Sequence, residues 1–215
     1  MGNRAWQTIA LKTQGEPLAV AQPHSAERAL QLAAALKGRV KPLKECTLEE
    51  AFREVKASKK IAVGAYPGGV VVLNFDIANE LIFGGRSAAR ILDALASPDI
   101  AAVVAHSVSS FWGYAIYKDR VLLRASSGGD GEWNLNEGPA LPEFEPELVG
   151  LRIENIEGGG YALADFEEED EISAYGIGDE AAMRITDHYL QQDLWHALRC
   201  TVFQTPGFLA RLFGA

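Results

Sequence analysis

Residues 61–75 read IAVGAYPGGVVVLNF and carry the clearest structural signal in the chain. Two apolar, β-rich runs, Ile61–Tyr66 and Val70–Phe75, flank the tripeptide Pro67-Gly68-Gly69. Proline and glycine supply the dihedral angles of a tight reversal, so this stretch predicts a β-hairpin. Both arms are almost continuously apolar, which is typical of strands covered on both faces. We therefore expect the hairpin to lie inside a sheet that is flanked by helices.

Capping residues and apolar periodicity predict two helices before the hairpin. Ser25 precedes an apolar stripe and Gly38 follows it, which indicates a capped helix between them. Thr47 and Glu50 have the spacing of a capping box, and the helix that they begin is expected to run to about Ser58.

Two more helices are predicted further along the chain. Apolar residues recur at helical spacing in Ser87–Leu95, and Pro98 then stops the pattern. Asp179 is expected to cap a long C-terminal helix that extends to about Val202.

Further strands account for much of the remaining chain. Ala5–Lys12 and Ile100–Ala105 are predicted as single strands, and residues 111–125 and 151–166 as two more hairpins. Turns are expected at residues 118–120 and in the glycine run 158–160. The fold class that follows is α+β, with a mixed, mainly antiparallel sheet whose hairpins, at about 60–75, 111–125 and 151–166, pack against several helices.

Two glycine-rich or proline-rich segments, 126–131 and 138–146, are expected to be loops on the surface. The whole chain, residues 1–215, is interpreted as one domain, because 48% hydrophobic and 23% charged residues are ordinary for a globular protein of this length.

Charge and terminal sequence restrict the partners and the compartment. Twenty Lys and Arg residues against 29 Asp and Glu residues give a net charge of -9. This charge repels nucleic acid and anionic membranes and favours a basic protein partner, although it also serves solubility. The chain has no run of about 18 uncharged apolar residues and no secretory pattern at residues 1–10. A cytoplasmic protein is expected.

No cofactor or metal site is predicted. Cys46 and Cys200 are the only cysteines and are interpreted as reduced, buried thiols. His188, Gln192 and His196 recur at four-residue intervals, but two helical turns separate the imidazoles by about 11 Å, too far for one ion.

The strongest charge feature is an acidic segment at residues 165–171. Six of its seven residues are carboxylates, a composition that stays solvated and can pair with the cations of a basic partner. The predicted partner-binding residues are these carboxylates and the aromatic Trp112: Asp165, Glu167, Glu168, Glu169, Asp170, Glu171 and Trp112.

A catalytic site is the alternative. The chain lacks a phosphate-binding loop, a nucleophile elbow and a zinc-protease helix, which lowers the expectation of an enzyme without excluding a site built from distant residues. His106 and Ser107 follow a predicted strand, and with Asp130 they are the residues that a small hydrolase or transferase would use. Adjacent strand residues point to opposite faces, which argues against a direct relay from His106 to Ser107.

The sequence thus leaves three functional hypotheses. The first is a noncatalytic protein-binding module, for which an immunity-type inhibitor that occludes a basic toxin would be a suitable example. The second is the enzyme with a site near His106. The third is a self-associating structural domain that buries its apolar C-terminal tail, residues 206–215, against another copy.

Overall fold

The computed structural model describes residues 4–18, 23–55, 59–106, 110–129, 132–151, 153–155, 161–163, 174–190 and 195–205. The elements, in chain order, are β1 Arg4–Leu11, α1 Ala26–Lys37, β2 Lys41–Thr47, α2 Leu48–Glu54, β3 Lys60–Tyr66, β4 Gly69–Leu73, α3 Phe75–Ile82, α4 Ala88–Leu95, β5 Asp99–His106, β6 Phe111–Lys118, β7 Val121–Gly129, β8 Glu132–Glu137, a 3-10 turn at Pro146–Leu148, β9 Ile153–Asn155, β10 Tyr161–Leu163, α5 Ala174–Tyr189 and β11 Arg199–Gln204.

Within the described ranges, one sheet contains eleven strands, in the order β2-β11-β3-β4-β1-β5-β6-β7-β8-β10-β9. The recorded strand pairs are antiparallel. The predicted α+β class, with a mainly antiparallel sheet and packed helices, is therefore confirmed.

The hairpin at residues 60–75 lies inside this sheet, as predicted. Tyr66 pairs with Gly69, so Pro67 and Gly68 form the turn, and every residue of β4 is buried. The second arm is shorter than expected because Asn74 leaves the strand. Its side-chain oxygen accepts a hydrogen bond from the backbone N–H of Ile77 at 3.1 Å and begins α3.

Helices cover both faces of the sheet, which explains the continuously apolar arms of the hairpin. Helices α1, α3 and α4 pack on one face around a core that includes Val63, Val72 and Val104. Helices α2 and α5 pack on the other face, where the core includes Ile9 and Tyr114. Among the described residues, no helix is long and apolar enough to span a bilayer.

The predicted caps of the first two helices are confirmed. The Ser25 hydroxyl accepts from the backbone N–H of Arg28, and Gly38 ends α1 with a φ of 79°. Thr47 and Glu50 form the complete capping box, with hydrogen bonds of 3.0 and 3.2 Å. Helix α2 ends at Glu54, earlier than the predicted end.

The C-terminal helix prediction is wrong in both its start and its end. Helix α5 begins at Ala174, so Asp179 lies within it instead of capping it, and the helix ends at Tyr189. Residues 199–204 form β11 between β2 and β3, although the helix was predicted to extend to about Val202. The β-branched and aromatic side chains of Thr201, Val202 and Phe203 suit a strand buried on both faces.

Of the two predicted surface loops, the first is wrong for residues 126–129, and the second, 138–146, is a loop in which two residues are buried. Strand β7 continues to Gly129, so residues 126–129 are strand, and Ser126 and Ser127 are fully buried. In segment 138–146, Phe144 and Glu145 are buried. The hairpin at 111–125 is confirmed, and β9 pairs with β10 as predicted for 151–166, although glycines 158–160 lie outside the described residues.

Candidate functional site

Of the three residues predicted for a catalytic site, His106, Ser107 and Asp130, the structure describes only His106. His106 is the last residue of β5, half-buried, with Arg4 and Phe111 as its partners on the adjacent strands. Ser107 and Asp130 lie outside the described residues. Their approach to His106 therefore stays a prediction.

Of the predicted partner-binding residues, the structure describes only Trp112. Trp112 is fully buried beneath α5, where it stacks on Tyr114 with ring centroids 5.9 Å apart. A Cβ atom on Gly178 would lie 2.0 Å from the indole, so glycine is required where α5 crosses this ring. The assignment of Trp112 to a partner surface is thus wrong, because the side chain has no exposed area. Asp165, Glu167, Glu168, Glu169, Asp170 and Glu171 lie outside the described residues.

The histidines of the C-terminal region have separate roles. The His188 ring packs edge-on against Phe144, at 5.2 Å between centroids, whereas His196 Nδ1 lies 2.7 Å from a carboxylate oxygen of Glu49. Gln192 lies outside the described residues. Within the described part of the chain, no three His, Cys, Asp or Glu side chains are grouped for metal binding.

A buried ion pair joins segment 138–146 to the sheet. Arg124 on β7 donates two hydrogen bonds from Nε and one from Nη2 to the carboxylate of Glu145, at 2.7–3.1 Å. Tyr114 donates its hydroxyl proton to the same carboxylate, and Arg124 Nη1 donates to Asn136 Oδ1. Burial, followed by the Glu145 charge, raises the pKa of Tyr114. Because Arg124 and Glu145 are 1% and 0% exposed, this network is structural and closed to a substrate.

A second buried carboxylate, Asp99 at the start of β5, is similarly occupied. Tyr189 donates its hydroxyl proton to Asp99 at 2.6 Å, and Lys118 forms an ion pair with the same carboxylate. The backbone N–H of Gly15 also donates to Asp99. Burial and then the bond to Asp99 raise the pKa of Tyr189. These contacts tie α5 and the turn after β1 to the sheet.

An open cleft lies on the opposite face of the molecule, between the end of α1, helix α3 and helix α4. Its volume of about 750 Å³ is within the range of about 300–1,000 Å³ that is usual for ligand sites. The residues that line this α3–α4 cleft are Leu36, Lys37, Gly38, Asp76, Ile77, Asn79, Glu80, Phe83, Gly85, Ser87, Arg90 and Ile91.

The cations of the α3–α4 cleft are engaged within the fold. Lys37 Nζ lies 3.2 Å from a carboxylate oxygen of Asp76. Arg90 Nη1 donates to the carbonyl oxygens of Ala35 and Leu36, at 2.8 and 3.1 Å, and so satisfies the C-terminal end of α1. Both cations therefore hold the helices together.

One acceptor in the wall of the α3–α4 cleft has no partner. Asn79 Oδ1 is buried and receives no hydrogen bond from the part of the chain that the structure describes. The half-buried carboxylate of Glu80 belongs to the next residue of α3 and accepts from the backbone N–H of Ser87 at 2.8 Å. Phe83, at the end of α3, is 48% exposed. The cleft thus combines an unpaired acceptor, a carboxylate and an exposed aromatic ring.

Sequence reasoning missed the α3–α4 cleft because its residues show no motif. Asn79, Glu80 and Phe83 have the composition of an ordinary amphipathic helix, and only the packing of α3 beside α4 forms a concavity. The sequence signal that could have indicated it is Phe83, a large apolar residue directly before Gly84-Gly85.

Comparison with known proteins identifies a family but no characterised relative. A family model described as a family of unknown function, DUF6928, matches residues 7–146. No curated protein and no solved structure matches the chain. The matched residues include the α3–α4 cleft and end before α5 and β11. Because the match covers more than half of the chain, this protein belongs to the DUF6928 family.

Proposed function

We propose that the protein is a noncatalytic protein-binding module whose α3–α4 cleft receives a basic side chain of a partner protein. The observation that carries this proposal is the buried, unpaired Oδ1 of Asn79 in the cleft wall. A buried acceptor without a partner costs about 1–3 kcal/mol, and a donor from a bound molecule removes that cost.

An arginine or lysine side chain has the required chemistry. When the half-buried Asn79 side chain rotates to bring Oδ1 to the cleft, the guanidinium or ammonium group donates to it and is attracted by the carboxylate of Glu80. Its aliphatic stem packs against Ile77 and Ile91, which line the cleft. The exposed ring of Phe83 adds a cation–π contact.

Long-range electrostatics support the same class of partner. A net charge of -9 attracts a basic protein and speeds its encounter. The acidic segment 165–171, outside the described residues, supplies a second contact for that partner. An immunity-type inhibitor that occludes a basic toxin is the specific role we propose for such a module.

The first test is a nuclear magnetic resonance titration of the full chain with short peptides. N-acetyl-arginine amide and a tetrapeptide with two arginines should shift the backbone resonances of Asn79, Glu80 and Phe83. The matched glutamate peptide should shift none of them, because Asn79 Oδ1 and Glu80 repel a carboxylate and the cations Lys37 and Arg90 are engaged within the fold.

Variants Phe83→Ala and Asn79→Ala should weaken binding of the arginine tetrapeptide by about tenfold or more, as expected for central contact residues. Phe75→Ala is the matched control, since Phe75 belongs to the same helix, is 42% exposed and lies outside the cleft. Equal binding of arginine and glutamate peptides, or equal weakening by Phe75→Ala, would contradict the assignment. If neither peptide shifts the resonances of Asn79, Glu80 and Phe83, the cleft does not bind a basic side chain and the proposal is wrong.

A further inference from the structure

The only two cysteines of the chain face each other across two strands. Cys46 on β2 pairs directly with Cys200 on β11 in the antiparallel register. Directly opposed residues have Cα atoms about 4.5–5.5 Å apart, with side chains on the same face of the sheet. A disulfide spans Cα separations of about 4.4–6.8 Å, so a bond between these sulfurs requires no change of register.

The surroundings keep both thiols protonated and shielded at rest. Cys46 and Cys200 are 4% and 0% exposed, in the core that α2 covers. Burial raises the pKa of each thiol, and the neighbouring Cys46 further raises that of Cys200. Cys200 Sγ donates weakly to the carbonyl oxygen of Thr47, at 3.7 Å.

The position of β2 gives a route of access. Strand β2 is at the edge of the sheet, and its first five residues, 41–45, are exposed. Edge strands separate from a sheet more easily than central strands, because they have one neighbour instead of two. Local separation of β2 from β11 would expose Cys46 while the rest of the sheet remained paired.

We propose that Cys46 and Cys200 form a reversible cross-strand disulfide by exchange with a low-molecular-weight disulfide such as oxidised glutathione. The Cys46 thiolate attacks one sulfur of the small disulfide, whose S–S bond breaks and releases one thiol. The Cys200 thiolate then attacks Sγ of Cys46 and releases the second thiol. Two protein thiols are oxidised, one small disulfide is reduced to two thiols, and the protons of the cysteines pass to the released thiolates.

The bridge would connect the edge of the sheet to a strand from the other end of the chain. Residue 46 precedes α2, whereas residue 200 lies in β11, which pairs with both β2 and β3. Oxidation therefore prevents the separation of β2 and holds α2 on the sheet. Reduction restores the mobility of this edge.

Incubation of the folded, full-length chain in glutathione buffers of increasing oxidised fraction tests the proposal. After acid quenching, intact-mass measurement should show the loss of two hydrogen atoms, and peptide mapping should show Cys46 linked to Cys200. The thermal unfolding midpoint of the oxidised monomer should rise by roughly 5–15 °C, and dithiothreitol should reverse this shift.

Cys46→Ser and Cys200→Ser are the control variants, and neither should lose two hydrogens or gain thermal stability in the oxidising buffer. If a serine variant does not fold, peptide mapping of the unaltered chain decides the question alone. Free thiols at every buffer ratio, stable glutathione adducts on each cysteine, or disulfide-linked dimers would overturn the proposal.

Discussion

Individual buried charges determine how segment 138–146 is held. Glu145 accepts hydrogen bonds from Arg124, from the hydroxyl of Tyr114 and from the backbone N–H of Leu141. An ion pair in a low-dielectric interior is balanced between desolvation and attraction, so it contributes little net stability while both partners are present. Loss of one partner leaves a buried charge uncompensated.

We therefore predict that Glu145→Gln lowers the free energy of unfolding by about 3–5 kcal/mol, because the Arg124 guanidinium remains charged and buried. Urea denaturation followed by tryptophan fluorescence measures the loss. Glu147→Gln is the matched control two residues away. Glu147 pairs with Arg184 at side-chain exposures of 29% and 34%, so its replacement should cost no more than about 1 kcal/mol. Similar losses of unfolding free energy in both variants would show that burial of the Arg124–Glu145 pair does not increase the cost of removing its carboxylate.

The turn between β6 and β7 has a backbone conformation that its residues adopt at a steric cost. The hairpin of β6 and β7 reverses through Asp119 and Arg120, because Lys118 pairs directly with Val121. Both turn residues have positive φ, 49° and 68°. Two-residue turns of this kind match the twist of the strands and favour glycine at the second position. Arginine occupies that position at a steric cost of about 1–2 kcal/mol.

Arg120→Gly should accordingly stabilise the protein by about 0.5–1 kcal/mol, measured as the change in the free energy of unfolding. The gain is reduced by the loss of the exposed ion pair between Arg120 and Asp93, 2.8 Å apart. Asp93→Asn removes the same pair without changing the turn, and we expect it to change stability by less than about 0.5 kcal/mol. Destabilisation by Arg120→Gly beyond that seen with Asp93→Asn would contradict the strain argument.

The whole molecule depends on a strand from the end of the described chain. Strand β11 lies between β2 and β3. On one side, Cys200 pairs with Cys46 and Thr201 pairs with Glu45 of β2. On the other side, Thr201 pairs with Val63 of β3. Without β11, β2 has no partner in the sheet order, and the adjacent edge of β3 loses its hydrogen bonds. Residues 7–146, the part that matches the family model, therefore form an incomplete sheet.

We predict that a chain ending after Leu198 loses its cooperative thermal transition and its near-ultraviolet circular dichroism. A chain ending after Thr205 retains β11, and we expect it to unfold cooperatively, like the full chain. If the shorter chain unfolded at the same temperature and with the same enthalpy, β11 would be dispensable for the fold.

Local patterns of residues were sufficient for most of the architecture. The arm Ile61–Tyr66, the arm Val70–Phe75 apart from its last two residues, the capping box at Thr47 and Glu50, and the hairpin at 111–125 were all predictable. Each depends on residues close together in sequence, whose turn chemistry, capping and apolar period act within one or two elements.

Only the tertiary structure revealed β2, β11 and the α3–α4 cleft. Strand β2, with Lys41, Pro42 and Lys44, is polar because it is an exposed edge, so no apolar pattern indicates it. The predicted C-terminal helix extended to about Val202, but pairing with strands more than 130 residues away makes residues 199–204 extended. The cleft arises from the packing of three helices, and no one helix contains it. Contacts between residues distant in sequence decide all three features, so the local patterns of the sequence did not indicate them.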